Sequence, residues 1–289
     1  MKENIEFRQI RDFEGIISAT LLFIKQNFKA LLKVFFSLCS IFILGSILSG
    51  IFLQWHILES SRGYAGGNSL GSIFGWRYWV GMLFSLLNYT AMGVSILSFV
   101  SLYVIKGNVA PTLEEVWSYF KYYFFRVFWS GMLIYVLWII CTMLCLIPGI
   151  YVTPAFSIFF AVMVLENADF GTTFSRSFAL VKQNWWLTFA TLLVIGIITT
   201  VCMSIIYAPS YLLMMINTFS AADLKVLKGY HVFTSISLSI SQVFAIIPLV
   251  AIAFIYFSLV ERKESQGLMS RIEEFGNTQA PVSHPEEDY

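Results

Sequence analysis

Two amides, Asn88 and Gln242, stand inside long apolar runs of this chain and are the side chains best suited to line a polar path through them. An amide surrounded by hydrocarbon more often bonds across to a neighbouring helix, so the structural reading takes precedence over the path. Cys141 and Cys145 are spaced i, i+4, which puts two thiols on one helix face like half of a tetrahedral metal site. No nearby histidine or acid completes it, and together with Cys39 and Cys202 they read as inert thiols in apolar surroundings. His56 with Glu59 and His231 with Asp223 fall in two polar loops that would have to meet over one ion, and they carry no ligand-spacing signature. There is no phosphate-binding loop, dinucleotide fingerprint or serine elbow. No Asp, Glu, Arg or His lies near the middle of an apolar run, which argues against a proton-coupled pump. The residues predict no catalytic centre, no metal and no cofactor.

The elements that must hold these residues are set by composition. Of 289 residues, 58% are hydrophobic and 12% charged, with 28 Phe, against about 45–50% apolar and about 25% charged in an ordinary soluble domain. A soluble globule of this size cannot hide so much apolar surface. The apolar runs approach or exceed the ~20 residues that cross a hydrocarbon core of ~30 Å. The expected fold is therefore all-α: a polytopic bundle of six transmembrane helices arranged as three hairpins, each preceded by an amphipathic helix on the cytoplasmic face. The net charge of +1 points to no nucleic-acid partner. No cleavable signal peptide is visible, so the first span is expected to target the chain.

In chain order, residues 1–11 form a mixed polar leader and Asp12 is placed to cap a helix over 13–27. Its apolar positions recur at helical spacing, as on a helix lying at a membrane surface. The first span follows over 30–55 and the second over 80–105, joined by a Gly- and Ser-rich loop. Pro111 and Thr112 open a second amphipathic helix, leading into a third span over 127–147. Pro148-Gly149 reads as a tight turn, and 150–165 returns as a fourth span barely long enough to cross. A third amphipathic helix starts at Asp169 and turns at Asn184-Trp185-Trp186 into a fifth span reaching 216. After a polar excursion over 217–232, the sixth span runs over 233–260. The membrane domain thus covers 1–263, and 264–289 is a polar cytoplasmic tail with a disordered end.

Orientation comes from the basic residues. With a cytoplasmic amino terminus, only Arg62, Arg77, Lys225 and Lys228 lie outside, and the other 14 of the 18 lie inside. By the positive-inside rule both termini are cytoplasmic, in a bacterial inner membrane.

Part of the pattern is repeated. An ungapped offset of 157 matches Asp12 with Asp169, Phe13 with Phe170, Ser18 with Ser175, Lys25 with Lys182, Gln26 with Gln183 and Asn27 with Asn184. A middle copy fits in pattern at an offset of 100, with Thr112 for Asp12 and Ser118 for Ser18. Three pseudo-repeats follow, over 12–107, 112–167 and 169–263.

The run over 147–186, with Pro148, Gly149, Glu166, Ser177, Lys182, Asn184 and Trp185, resembles the integral-membrane domain of bacterial glycerophosphoryl diester phosphodiesterases and their stand-alone inner-membrane relatives. The resemblance implies a six-span fold. The family's catalytic barrel, with its His, Glu and Asp ligands, has no counterpart here, so hydrolysis is not carried over. The expected function is that of a non-enzymatic scaffold or regulatory membrane protein, touching membrane lipids and a protein partner at the cytoplasmic face. The alternative is a transporter or channel for a lipid or small amphiphile. A transporter predicts a continuous cavity reaching Asn88 or Gln242, and a scaffold predicts close packing there.

Overall fold

A backbone out of reach of water must satisfy its own hydrogen bonds, and the apolar runs of this chain do so as α-helix. The computed structural model describes residues 5–63, 75–219 and 224–265, and no strand occurs among them. The helices are α1 (Phe13–Gly63), α2 (Trp76–Ile105), α3 (Leu113–Leu144), α4 (Leu146–Leu165), α5 (Phe170–Val181), α6 (Trp185–Phe219), α7 (Leu224–Ser241) and α8 (Ile246–Glu264). A 3₁₀ segment, Gln242–Ala245, joins the last two. Among the described residues, six stretches are long and apolar enough to cross a membrane: α1, α2, α3, α4, α6 and the combined α7–α8. The chain is a multi-pass membrane protein.

The spans form two layers. In α2, α4 and α7–α8, 56%, 56% and 61% of the most apolar stretch is buried, against 28%, 17% and 17% in α1, α3 and α6. The three buried spans pack on one another, and each of α1, α3 and α6 packs on the span that follows it. An inner triad is thus ringed by an outer three. The triad is filled by Met92, Ile96, Ile158, Val162, Val250 and Ala253, all 0–1% exposed.

The lead-in segments begin as their sequences dictate. The Asp12 carboxylate accepts from the Gly15 amide at 3.0 Å, and the Asp169 carboxylate accepts from the Thr172 amide and hydroxyl. Those contacts, the Thr172 hydroxyl first, hold the Asp169 carboxyl below its ordinary pKa. Thr112 and Glu115 close a reciprocal capping box. All three starts lie at one end of the bundle, here the lead-in end. There the Lys106 ammonium, just past α2, meets Glu115 of α3 at 2.6 Å, and Arg176 of α5 reaches α4 and α8. Gly107 and Asn108 make the tight α2–α3 turn with φ of 64° and 71°, the left-handed region such residues tolerate.

Several expectations are corrected. The first surface helix and first span are one helix, bent at Asn27 (φ −112°, ψ 15°). The Asn27 side-chain amide donates to the Phe23 carbonyl at 3.2 Å and disturbs the ladder there, and the helix continues past it into the span. At the matching Asn184 the chain does break: its amide takes the Val181 carbonyl at 2.9 Å, and α6 starts afresh at Trp185. Pro148-Gly149 is not the turn. The reversal falls at the extended Cys145 (φ −167°), and both residues sit in the first turn of α4, where a missing N–H costs nothing. The fourth span is accordingly 20 residues long, ~30 Å of helix. The sixth span is interrupted by the 3₁₀ segment at Gln242. Pro248, four residues after Phe244, supplies no amide to the carbonyl there, which leaves the ladder free to tighten. His231, expected in a loop, lies within α7 and meets the Gln54 side chain at 2.7 Å.

The tip between α3 and α4 is bare hydrocarbon. Met143, Leu144 and Ile147 are 75–85% exposed, and 127–165 contains no charged residue, amide or histidine. Near it, the Trp185 indole donates to the Tyr151 carbonyl at 2.9 Å, so the start of α6 is pinned to the early part of α4.

Candidate functional site

The two amides singled out by sequence meet. Asn88 of α2 donates from Nδ2 to Gln242 Oε1 at 2.6 Å, and Asn88 is 1% exposed. The 3₁₀ segment carries Gln242 to the triad, where the facing residue is the one amide of α2. The bond joins α2 to the α7–α8 segment, and Asn88 Oδ1 keeps no partner of its own. Replacing Asn88 alone with Leu strands the Gln242 amide in an apolar setting. We expect Asn88→Leu to cost ~1 kcal/mol, and the Asn88→Leu, Gln242→Leu pair to cost less than the two single changes added together. Unfolding midpoints in one detergent give this cycle, and strict additivity would mean that the bond carries no coupling.

At the lead-in end a polar clasp joins three helices. Arg176 Nε lies 3.0 Å from both oxygens of Glu166 at the end of α4, and its NH1 lies 2.5 Å from Glu264 at the end of α8. Tyr256 donates to Glu166 at 2.8 Å. The hydrogen bond to Glu264, then those to Glu166, raise the Arg176 pKa, so the cation is fixed. Arg126 donates to Asn167 at 3.0 Å across the adjoining turn. These contacts tie α3, α4, α5 and α8 to one another at the lead-in end.

The leader completes this end. Ile5 and Phe7 are 5% and 3% exposed, and the Phe7 ring stacks on Phe254 at 4.5 Å with Phe23, Tyr103 and Phe257 around its edges. The Arg11 amide donates to Ser258, and the Arg11 carbonyl accepts from Ser258 and Arg262. The Arg11 guanidinium, also bonded to the Phe7 and Glu6 carbonyls, lies over Phe254 and has its pKa lowered by burial. In sequence 1–11 reads as a polar leader, because Ile5 and Phe7 among charges have no period that marks them as buried.

The remaining motif residues mark joints and contacts between helices. Lys25, Asn27, Lys182, Asn184 and Trp185 flank the bend of α1 and the α5–α6 break. The aromatic stripe of α5 is half-buried on α4: Phe170 packs on Phe159 at 5.4 Å, and Phe174 and Phe178 on Phe156. The offset of 157 also aligns burial, pairing Ile16 with Thr173, Thr20 with Ser177 and Phe23 with Leu180, each at most 2% exposed.

Cys39 is buried, Cys145 is exposed, and Cys141 and Cys202 lie between. No three His, Cys, Asp or Glu gather as a metal site among the described residues. Asp223 and the side chain of Glu59 lie outside the described residues, as does the 266–289 part of the expected tail. A cleft of about 430 Å³ opens between α2, α3, α4 and α8, and neither Asn88 nor Gln242 lines it. No family model, curated protein or solved structure matches the chain.

Proposed function

We propose that this chain is a non-enzymatic scaffold or regulatory protein of a bacterial cytoplasmic membrane, with both termini in the cytoplasm and its lead-in end presented to a protein partner. One observation carries the reading: the centre of the bundle is filled, and its two amides are spent on each other. The bias of basic residues toward the lead-in end supports the orientation. The alternation of outer and inner spans, with matched burial at the offset of 157, supports three duplicated units. The likeness of 147–186 to the phosphodiesterase membrane domain belongs to the same proposal and rests on the residues quoted for it.

A lipid or small-amphiphile transporter is the second reading, favoured by the side cleft. Reconstitution into vesicles separates the two. The scaffold reading expects labelled lipid and small solutes to cross no faster than in protein-free vesicles. Photo-crosslinkers at Ser18, Ser118 and Ser175, all exposed, are expected to give a discrete protein adduct in cells. Accelerated passage that is lost in the Asn88→Leu, Gln242→Leu variant would replace the scaffold with the transporter.

A further inference from the structure

The side cleft has the chemistry of a receptor for hydrocarbon. Its walls include Gly93, Leu97, Phe128, Gly131, Phe160 and Leu249, and its volume of about 430 Å³ falls in the range of about 300–1,000 Å³ typical of small-molecule sites. The hydrogen-bonding groups on one wall are already used. The Trp138 indole donates to Thr153 at 3.1 Å, Thr153 to the Gly149 carbonyl at 2.8 Å, and Ser157 to the Thr153 carbonyl at 2.9 Å. No charged residue lines it, so a headgroup finds no counter-ion.

Its depth narrows the occupant further. Along α4 the lining runs from Phe160 to Thr153, ~9 to ~20 Å below Glu166 at 1.5 Å per residue. With Glu166, at the lead-in end, taken as the level of the headgroups, that is the depth of acyl chains, and the mouth faces outward through Tyr89, Met132 and Tyr135, 39–61% exposed. Two glycines make the room. A side chain at Gly93 would meet only Leu249, at 4.0 Å, and one at Gly131 would meet Phe160 at 3.3 Å.

We propose that this cleft seats one acyl chain of a membrane lipid, held in place as a structural ligand and not passed across the bundle. Exchanging a chain between lipid and a lipid-like wall gains little hydrophobic energy. What retains it is dispersion contact on several sides at once, which the walls of an empty cleft would forfeit.

The test uses the full chain in nanodiscs of phosphatidylethanolamine and phosphatidylglycerol with a trace of lipid carrying a diazirine in its acyl chain. Adducts are expected to concentrate on Met132, Tyr135 and Phe160, about tenfold over Ile197, Val201 and Ile205 on the outer part of α6, for a chain preferred by ~1.4 kcal/mol. Gly93→Leu fills the cleft and should remove that excess while leaving α6 labelling unchanged. Even labelling of both regions, or an excess that survives Gly93→Leu, overturns the proposal. If Gly93→Leu does not fold, native mass spectrometry of the unaltered protein decides: one lipid retained per chain through detergent exchange is expected, and a lipid-free chain overturns the proposal.

Discussion

Phe7→Ala should release the leader from the bundle, with Arg8 and Arg11 becoming cleavable by trypsin about a hundredfold faster than in the unaltered protein. Phe7 is 3% exposed and touches four aromatic rings. Truncating a Phe in such a setting costs ~3–5 kcal/mol, and ~1.4 kcal/mol is a factor of ten in an equilibrium. The effect is large for a reason particular to this end of the molecule. A span residue that loses its protein contacts falls back on lipid, which is as apolar as the core it left. Phe7 falls back on water, so the full hydrophobic term is lost. Phe7→Leu, which keeps most of the apolar area, should lie between. Proteolysis rates unchanged by Phe7→Ala would mean that the leader is held by its Ser258 and Arg262 bonds alone.

Gly149→Leu should be the most damaging single change within the spans. A Cβ at Gly149 would stand 2.5 Å from Thr142 Oγ1 and 3.1 Å from Thr142 Cα, so the backbones of α3 and α4 would have to separate. Overpacking of this kind costs ~1–3 kcal/mol and more where backbone must move. In lipid, close approach through small residues is also much of what holds helices together. The Trp138–Thr153 bond beside it would be lost in the same displacement. Gly196→Leu on α6 is the matched control, since nothing lies within 4 Å of a Cβ there. We expect a drop of several degrees in the unfolding midpoint for Gly149→Leu, little change for Gly196→Leu, and partial recovery when Thr142→Ala accompanies Gly149→Ala. Equal midpoints for the two leucine variants would show that the α3–α4 crossing is looser than the distances imply.

These contrasts indicate which features were legible in sequence. Caps at Asp12, Thr112 and Asp169, and joints at Asn27 and Asn184, depend on local chemistry and could be read. The six apolar stretches depend on composition and could be read too. The layering into inner and outer spans could not, because a side chain facing lipid and one facing protein have the same hydropathy. Pro148-Gly149 misled because proline serves a turn and the first turn of a helix equally well. The partnership of Asn88 with Gln242 spans 154 residues and needs the 3₁₀ break to bring it about, so spacing gave no hint of it. The aromatic stripe of α5 was visible, but whether lipid or α4 covered it was not.

The proposed orientation requires the three lead-in segments to share one side of the bilayer. Ser18, Ser118 and Ser175 are each exposed on one of them and can carry a single cysteine in a background lacking Cys39, Cys141, Cys145 and Cys202. Labelling with a membrane-impermeant maleimide in right-side-out and inverted vesicles is the most direct measurement. All three positions should react in inverted vesicles and none in right-side-out ones, whereas a single position reacting from the opposite side to the other two would contradict the arrangement.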